Sequence, residues 1–341
     1  MSMALVWVQF AVCAIIILLA GRQVARYGDV IAEKTGLGGV WIGVVLLAVA
    51  TSLPELFTGI SSVTLAKAPD LTVGDLFGAC TFNLLNLAFL DLAYRRGPLL
   101  TAVGSRHLLA AGLSLILVAF SAASLIVSRL VSIPGIGWVG LYTPAIFLLY
   151  LLMVKMMLNY ERGQRAQSSG AETLLQYDGI SLRRAYQRFA LAAIFIIGAG
   201  VWLALVGKEI AEATGLGQGF VGSLFLGFTT TLPEVVVSYS ALRLGATDLC
   251  VANMIGSNLF NMAIIGIDDL FYTQGPILHG VSQNHILTAL VALLMTGIVI
   301  VGLVSRPRRK TQLGASWYSL ALAAVFLLGA YANFAVMRVS G

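Results

Sequence analysis

Thr51-Ser52-Leu53-Pro54-Glu55 is matched by Thr230-Thr231-Leu232-Pro233-Glu234, so a carboxylate beside a helix-breaking proline occurs twice, each time inside a long apolar stretch. Asp, Lys or Arg at the centre of a membrane-spanning helix costs ~2.5 to 3.5 kcal/mol on insertion scales, and a glutamate in hydrocarbon is comparable. Two such residues call for a bound cation or a proton. The pattern therefore predicts ion binding within a bilayer.

Composition supports the bilayer. The chain is 59% hydrophobic and 11% charged, whereas soluble domains carry roughly 25% charged residues. Ten apolar stretches are long enough to cross as helices: 3–20, 40–66, 71–93, 107–127, 138–158, 189–206, 218–244, 248–271, 285–304 and 316–338. The expected fold class is an all-α polytopic membrane protein of about ten transmembrane helices. The first stretch lacks a basic segment before it and is followed by Arg22 and Arg26, so it reads as a helix, not a cleaved leader. Cys13, Cys80 and Cys250 all sit in apolar segments without metal or disulfide spacing and read as small buried residues.

Lys and Arg set the orientation. In the ten-helix reading only Lys67, Arg129, Lys208 and Arg338 fall on one side, and the other 17 of the 21 basic residues fall on the opposite side. This places both termini outside the cytoplasm. It also explains the net charge of +6 without nucleic acid, because basic loops facing anionic headgroups are ordinary.

The chain is duplicated. Residues 31–68 align with 210–247 at 15 identities in 38, and 70–109 align with 248–287 at 15 in 40. The matches include Glu33/Glu212, Pro54/Pro233, Glu55/Glu234, Gly78/Gly256, Asn83/Asn261, Asp91/Asp269, Tyr94/Tyr272 and His107/His285. Five spans precede the second copy's first helix. An odd number makes the copies enter the bilayer from opposite faces, which is an inverted-topology repeat of five helices twice, with a site expected at the midplane. The expected units are a first repeat over 1–160, a cytoplasmic linker over 161–187 too short for a folded domain, and a second repeat over 188–341.

Helical spacing puts Thr51, Ser52 and Glu55 on one face, and likewise Thr230, Thr231 and Glu234. Pro54 has no N–H for the carbonyl of Ala50, nor Pro233 for that of Thr229, so backbone oxygen is released beside each carboxylate. Carboxylate, hydroxyl, amide and carbonyl oxygens are the shell that Ca²⁺ and Na⁺ take. Gly256-Ser257-Asn258-Leu259-Phe260-Asn261 and its mate Gly78-Ala79-Cys80-Thr81-Phe82-Asn83 add a glycine for close helix approach and an asparagine oxygen.

These paired blocks resemble the α-repeats of the sodium/calcium exchanger family of the cation/calcium antiporter superfamily, over nearly the whole chain. The resemblance implies that Glu55 and Glu234 are the central metal ligands. Thr51, Ser52, Thr230 and Thr231 would supply hydroxyls, and Asn83 and Asn261 amide oxygens. Ser257 and the backbone carbonyls near Ala48 and Gly227 would complete sodium sites, and the first and sixth helices would be the mobile pair. The chain departs from the family pattern at Ala79, Cys80 and Asn261. The first removes a hydroxyl, and the last leaves two central carboxylates where many members have three.

Asp75 shares a broad face with Asn83, about 12 Å away along the axis. Its sequence fits either an ion-path role or a carboxylate at a helix N-terminus. Asp91, Asp268 and Asp269 lie near helix ends and read as structural, hydrated residues. His107 and His285 read as interface histidines, with a pH-sensing role as the alternative.

The expected activity is Ca²⁺ export against Na⁺ entry by alternating access, both ions competing for Glu55 and Glu234. H⁺ in place of Na⁺ is the nearest alternative, since buried glutamates carry protons. A cation channel is the rival of another class, but channels repeat about an axis along the membrane normal. No enzyme motif such as His-Glu-x-x-His or Gly-x-Ser-x-Gly is present, and no cofactor is expected. The partners are then the transported ions and the lipid bilayer, in the plasma membrane by inference from size; oligomeric state is not specified.

Overall fold

The computed structural model describes residues 3–35, 47–131, 135–167 and 179–340. The long helices are α1 Met3–Lys34, α2 Leu53–Thr64, α3 Pro69–Ala93, α4 Arg106–Leu130, α5 Tyr142–Gln167, α6 Leu182–Thr214, α7 Gln218–Arg243, α8 Thr247–Phe271, α9 His285–Ser305 and α10 Trp317–Ser340. Among the described residues, nine of these are long and apolar enough to span a bilayer. The exception is α2. The start of its expected span, 40–66, lies outside the described residues, and the chain is helical from residue 47 up to a break at Ser52.

Inverted topology is visible in the contacts. Where α3 ends, the chain turns into α4, whose His107 Nε2 lies 2.7 Å from Asp248 Oδ1 at the start of α8. Where α8 ends, the chain turns into α9, whose His285 Nε2 lies 2.7 Å from Asp70 Oδ1 at the start of α3. Thus α8 begins on the face where α3 finishes, and the two copies run antiparallel. The symmetric histidines are interface residues, each held to a part-buried aspartate of the opposite copy.

Helices α3 and α8 form the centre and are the most deeply buried of the spans. Their contact with α7 depends on missing side chains. A Cβ at Gly78 would lie 2.2 Å from the Ser223 carbonyl oxygen, and one at Gly222 would lie 2.4 Å from that of Leu71. The approach is thus backbone against backbone, and α7 passes through a π turn, Gly222–Leu226, at that contact. Helices α1 and α6 pack along each other and against α2 and α7. A Cβ at Gly21 would meet the Pro233 ring at 2.3 Å, and one at Gly200 would meet the Thr58 nitrogen at 3.1 Å.

Several boundaries differ from the sequence reading. α1 runs to Lys34 instead of stopping at 20, and α6 covers Leu182–Thr214 instead of 189–206. The buried positions Cys13, Ile17, Ala20 and Val24 continue at helical spacing past Arg22. Average hydropathy falls there, but the apolar stripe does not. The expected span from 138 starts at Tyr142, because 135–140 form a hairpin, β1 Gly135–Ile136 against β2 Val139–Gly140, turning at Gly137 with φ +66°. Part of the expected linker is helix: α5 continues to Gln167, and α6 opens with Ser181 Oγ accepting from the Arg184 N–H at 3.3 Å.

Asp91 and Asp269 are structural but not hydrated; both are fully buried. Asp91 accepts from the backbone N–H groups of Leu99 and Ser316 at 2.8 and 2.9 Å and from the hydroxyls of Ser316, Tyr318 and Ser319 at 3.0, 2.6 and 2.8 Å. Asp269 accepts from the N–H groups of Ile277 and Gly140 at 2.7 and 2.9 Å, and from the hydroxyls of Tyr142 and Thr143 at 2.9 and 2.6 Å. Each aspartate clasps the first turn of the last helix of the opposite copy. Lys310 also donates to the backbone oxygens of Asp91 and Tyr94, and burial holds its ammonium below the usual lysine range.

Candidate ion site at the helix breaks

The two proline motifs break their helices alike. Ser52 sits at φ −89°, ψ 14° and Thr231 at φ −79°, ψ 0°, off the α-helical basin, and each helix restarts at the following leucine. Proline then falls in the first turn, where its missing N–H costs nothing, and the glutamate falls there too, at the positive end of the half-helix. Glu55 and Glu234 are both fully buried.

The two copies interlock at the breaks. Ser52 Oγ donates to Glu234 Oε1 at 3.0 Å, and Ser257 Oγ donates to the same oxygen at 3.2 Å. Thr230 Oγ1 lies 2.9 Å from Asp75 Oδ1 and 3.0 Å from the Leu226 carbonyl, so its single proton serves one of them at a time. On the other side Thr51 Oγ1 lies 3.5 Å from Asn253 Oδ1 and 3.2 Å from the Ala48 carbonyl. Thr231 does not mirror Ser52; its hydroxyl turns back to the Gly227 carbonyl at 2.8 Å. The carbonyls of Ala48 and Gly227 thus each accept from a hydroxyl of the motif.

Asn83 Nδ2 donates to Asn258 Oδ1 at 3.0 Å, and Asn258 Nδ2 donates to the Cys80 carbonyl at 3.2 Å. Asn253 Nδ2 donates to Ser238 Oγ at 3.1 Å. Asn258 and Asn253 were not singled out as site residues in the sequence, although Asn253 is the repeat mate of Asp75 and Asn258 lies in the glycine-asparagine motif opposite Cys80. Asp75 itself is resolved by its position: it lies beyond the first turn of α3, fully buried, against Thr230. It is no helix-terminal carboxylate. Glu55, Glu234 and Asp75 are near enough to repel one another.

What remains unpartnered defines the chemistry. Both oxygens of Glu55, Oε2 of Glu234, Oδ2 of Asp75, Oδ1 of Asn83 and the whole amide of Asn261 are buried without a protein hydrogen-bond partner. Buried polar atoms are satisfied in nearly all proteins. Here the unsatisfied atoms are almost all acceptors, the donor set of a hard cation. Among the described residues no three Asp, Glu, Cys or His side chains converge on one point, so the carboxylates flank the site with hydroxyl and amide groups among them. The site is also lopsided. Ser257 bonds Glu234, while its mate Ala79 has no hydroxyl to offer Glu55.

Ten long helices among the described residues, in two antiparallel copies with carboxylates buried at broken helices, define a polytopic membrane transporter of the inverted-repeat kind. A family model described as "Sodium/calcium exchanger protein" matches residues 5–156 and 185–339, and the chain belongs to that family of exchangers. "Inner membrane protein YrbG" of Escherichia coli (strain K12) is 22% identical over 257 residues, covering 74% of this chain and 75% of that protein. Among solved structures, the H⁺/Ca²⁺ exchanger CAX superposes with a TM-score of 0.64 at 11% identity, over 98% of this chain and 86% of that one. The sodium-calcium exchanger NCX_Mj superposes at 0.60 with 18% identity, over 96% and 98% of the two chains. At these identities the two structures speak to the fold.

Proposed function

We propose that the chain is a secondary antiporter that exports Ca²⁺ from the cytoplasm in exchange for Na⁺, binding either ion at a midplane site built on Glu55 and Glu234. The observation that carries this reading is the set of buried, partnerless oxygens at the two helix breaks. Asp75, bonded to Thr230, adds a further negative charge beside the site. Thr51, Ser52, Thr230, Thr231 and Ser257 supply hydroxyls, Asn83 and Asn261 supply amide oxygens, and the carbonyls of Ala48 and Gly227 supply backbone oxygens. A cation there offsets the charge that would otherwise oppose movement of apolar helices across the site. Gly21 and Gly200, resting on the broken segments of the opposite copy, support α1 and α6 as the moving pair. The basic bias of the loops supports termini outside the cytoplasm.

A second reading, H⁺ as the counter-ion, is favoured by Asp75. One Ca²⁺ balances two carboxylates, and a third needs a proton or another cation. Uptake of ⁴⁵Ca²⁺ into proteoliposomes separates the readings. The expected result is uptake driven by an outward Na⁺ gradient and lost in Glu55→Gln and Glu234→Gln. Uptake driven by a pH gradient alone would transfer the reading to H⁺, and uptake that survives in the double variant would overturn the site.

A further inference from the structure

The seam between α1 and α6 carries charges that the ion site leaves unexplained. At the face where α1 ends and α6 begins, a groove of about 670 Å³ opens between the two helices. Arg22 and Arg26 line it from α1, and Arg188 lines it from α6. Arg22 and Arg26 are four residues apart and share one side of their helix. All three arginines are exposed, and none forms an ion pair with an acid among the described residues. Asp29 borders a separate groove, against α7, that Arg22 and Arg26 also border.

The groove changes character with depth. Leu19, Leu191 and Phe195 line its inner part, and all three are exposed. Leu19 precedes Arg22 and Arg26 on α1 by about 4.5 and 10 Å along the axis, and Phe195 follows Arg188 by about 10 Å on the antiparallel α6. Guanidinium groups therefore stand at one end and hydrocarbon at the other. Paired N–H donors of arginine match a phosphate. A soluble anion would use only that end, whereas a phospholipid fills both.

The repeat mates show that the scaffold does not demand this groove. Carried back from 31 and 210 in the same register, the alignment pairs Gly21 with Gly200, Arg22 with Val201, Gln23 with Trp202, Arg26 with Leu205 and Gln9 with Arg188. At the opposite face the protein closes the seam itself, Trp202 Nε1 donating to Gln9 Oε1 at 3.4 Å. The corresponding place here holds three like charges.

We propose that the groove is a binding site for an anionic phospholipid of the leaflet at that face. Arg22, Arg26 and Arg188 hold its phosphate, and the start of an acyl chain lies against Leu19, Leu191 and Phe195. Basic pockets between membrane helices hold such headgroups. A net negative lipid offsets the mutual repulsion of three guanidinium groups on one seam, and a zwitterionic headgroup brings its own cation to the same place. The site is independent of which ions are exchanged.

Native mass spectrometry of the full chain, stripped of lipid in detergent and titrated with phosphatidylglycerol or phosphatidylcholine, tests it. The expected result is one phosphatidylglycerol held in preference to phosphatidylcholine. Affinity should fall about fivefold for each arginine lost, so about 25-fold in Arg26→Gln/Arg188→Gln. Arg308→Gln/Arg309→Gln removes the same charge from an exposed loop at the same face and should leave it unchanged. Equal losses in the two variants would reduce the effect to the general charge of that face and overturn the site, as would no loss in either. Equal binding of phosphatidylcholine would overturn the anionic preference, and full displacement by millimolar inorganic phosphate would show a soluble-anion site instead. Unfolding midpoints without lipid should agree among the three proteins. A lowered midpoint in Arg26→Gln/Arg188→Gln would show that the arginines serve the protein's own packing and would also overturn the proposal.

Discussion

Replacing Asp269 by Asn keeps the shape of the α8 clasp and changes its hydrogen-bond sense. The carboxylate uses both oxygens fully, Oδ1 for Ile277 N–H and the Tyr142 hydroxyl, Oδ2 for Gly140 N–H and the Thr143 hydroxyl. An asparagine presents NH₂ to one of these pairs. The hydroxyl in that pair can rotate away, but the backbone N–H cannot, so one buried donor is orphaned whichever way the amide faces. That costs about 1 to 3 kcal/mol. The remaining bonds lose their charge assistance, worth roughly 1 kcal/mol each. The expected destabilisation is therefore about 3 to 5 kcal/mol, read as a lower unfolding midpoint in detergent. Adding Thr143→Val should cost little more in this background, because the amide can then face the missing hydroxyl, while Thr143→Val alone should be clearly destabilising. A change below about 1 kcal/mol for Asp269→Asn, or simple additivity in the pair, would refute the reasoning.

Gly78→Ala should lower thermal stability by about 1 to 3 kcal/mol or more, since the new methyl meets the Ser223 backbone at 2.2 Å. Gly112→Ala, in α4 with nothing within 4 Å of its Cβ, should gain up to about 1 kcal/mol in the same assay. Asp75→Asn retains an oxygen for Thr230 but removes a charge from the site. Ca²⁺ affinity measured by calorimetry should fall about ten- to a hundredfold, from the ~1.5 to 3 kcal/mol of a charged partner, with the unfolding midpoint little changed.

The spans, the duplication and its inversion were legible because each has a direct sequence counterpart: apolar length, matched polar residues and an odd helix count. The partners inside the site were not. Aligning the copies pairs Ser52 with Thr231 and Asp75 with Asn253, yet Ser52 bonds Glu234 and Asp75 bonds Thr230. Internal symmetry says that contacts come in related pairs, and leaves open which element of one copy meets which of the other. Asp91, Asp268 and Asp269 were misread for a different reason. Closeness to a helix end suggests water, but all three are fully buried: the loops and the first turns of α5 and α10 supply the donors of Asp91 and Asp269, and Thr72 of α3 supplies the hydroxyl on Asp268. The length of α1 was hidden by Arg22 and Arg26, which lower the average without interrupting the buried stripe.

The clasps also govern how this protein can be made. Asp91 receives its partners Ser316 and Ser319 from chain synthesised 225 and 228 residues later. At roughly 5 to 20 residues per second, Asp91 waits on the order of 10 to 45 s with only the Leu99 N–H of its own half as partner. Biogenesis must therefore shelter the nascent N-terminal half until its counterpart arrives, and the two halves synthesised as separate polypeptides should reach maturity only when produced together.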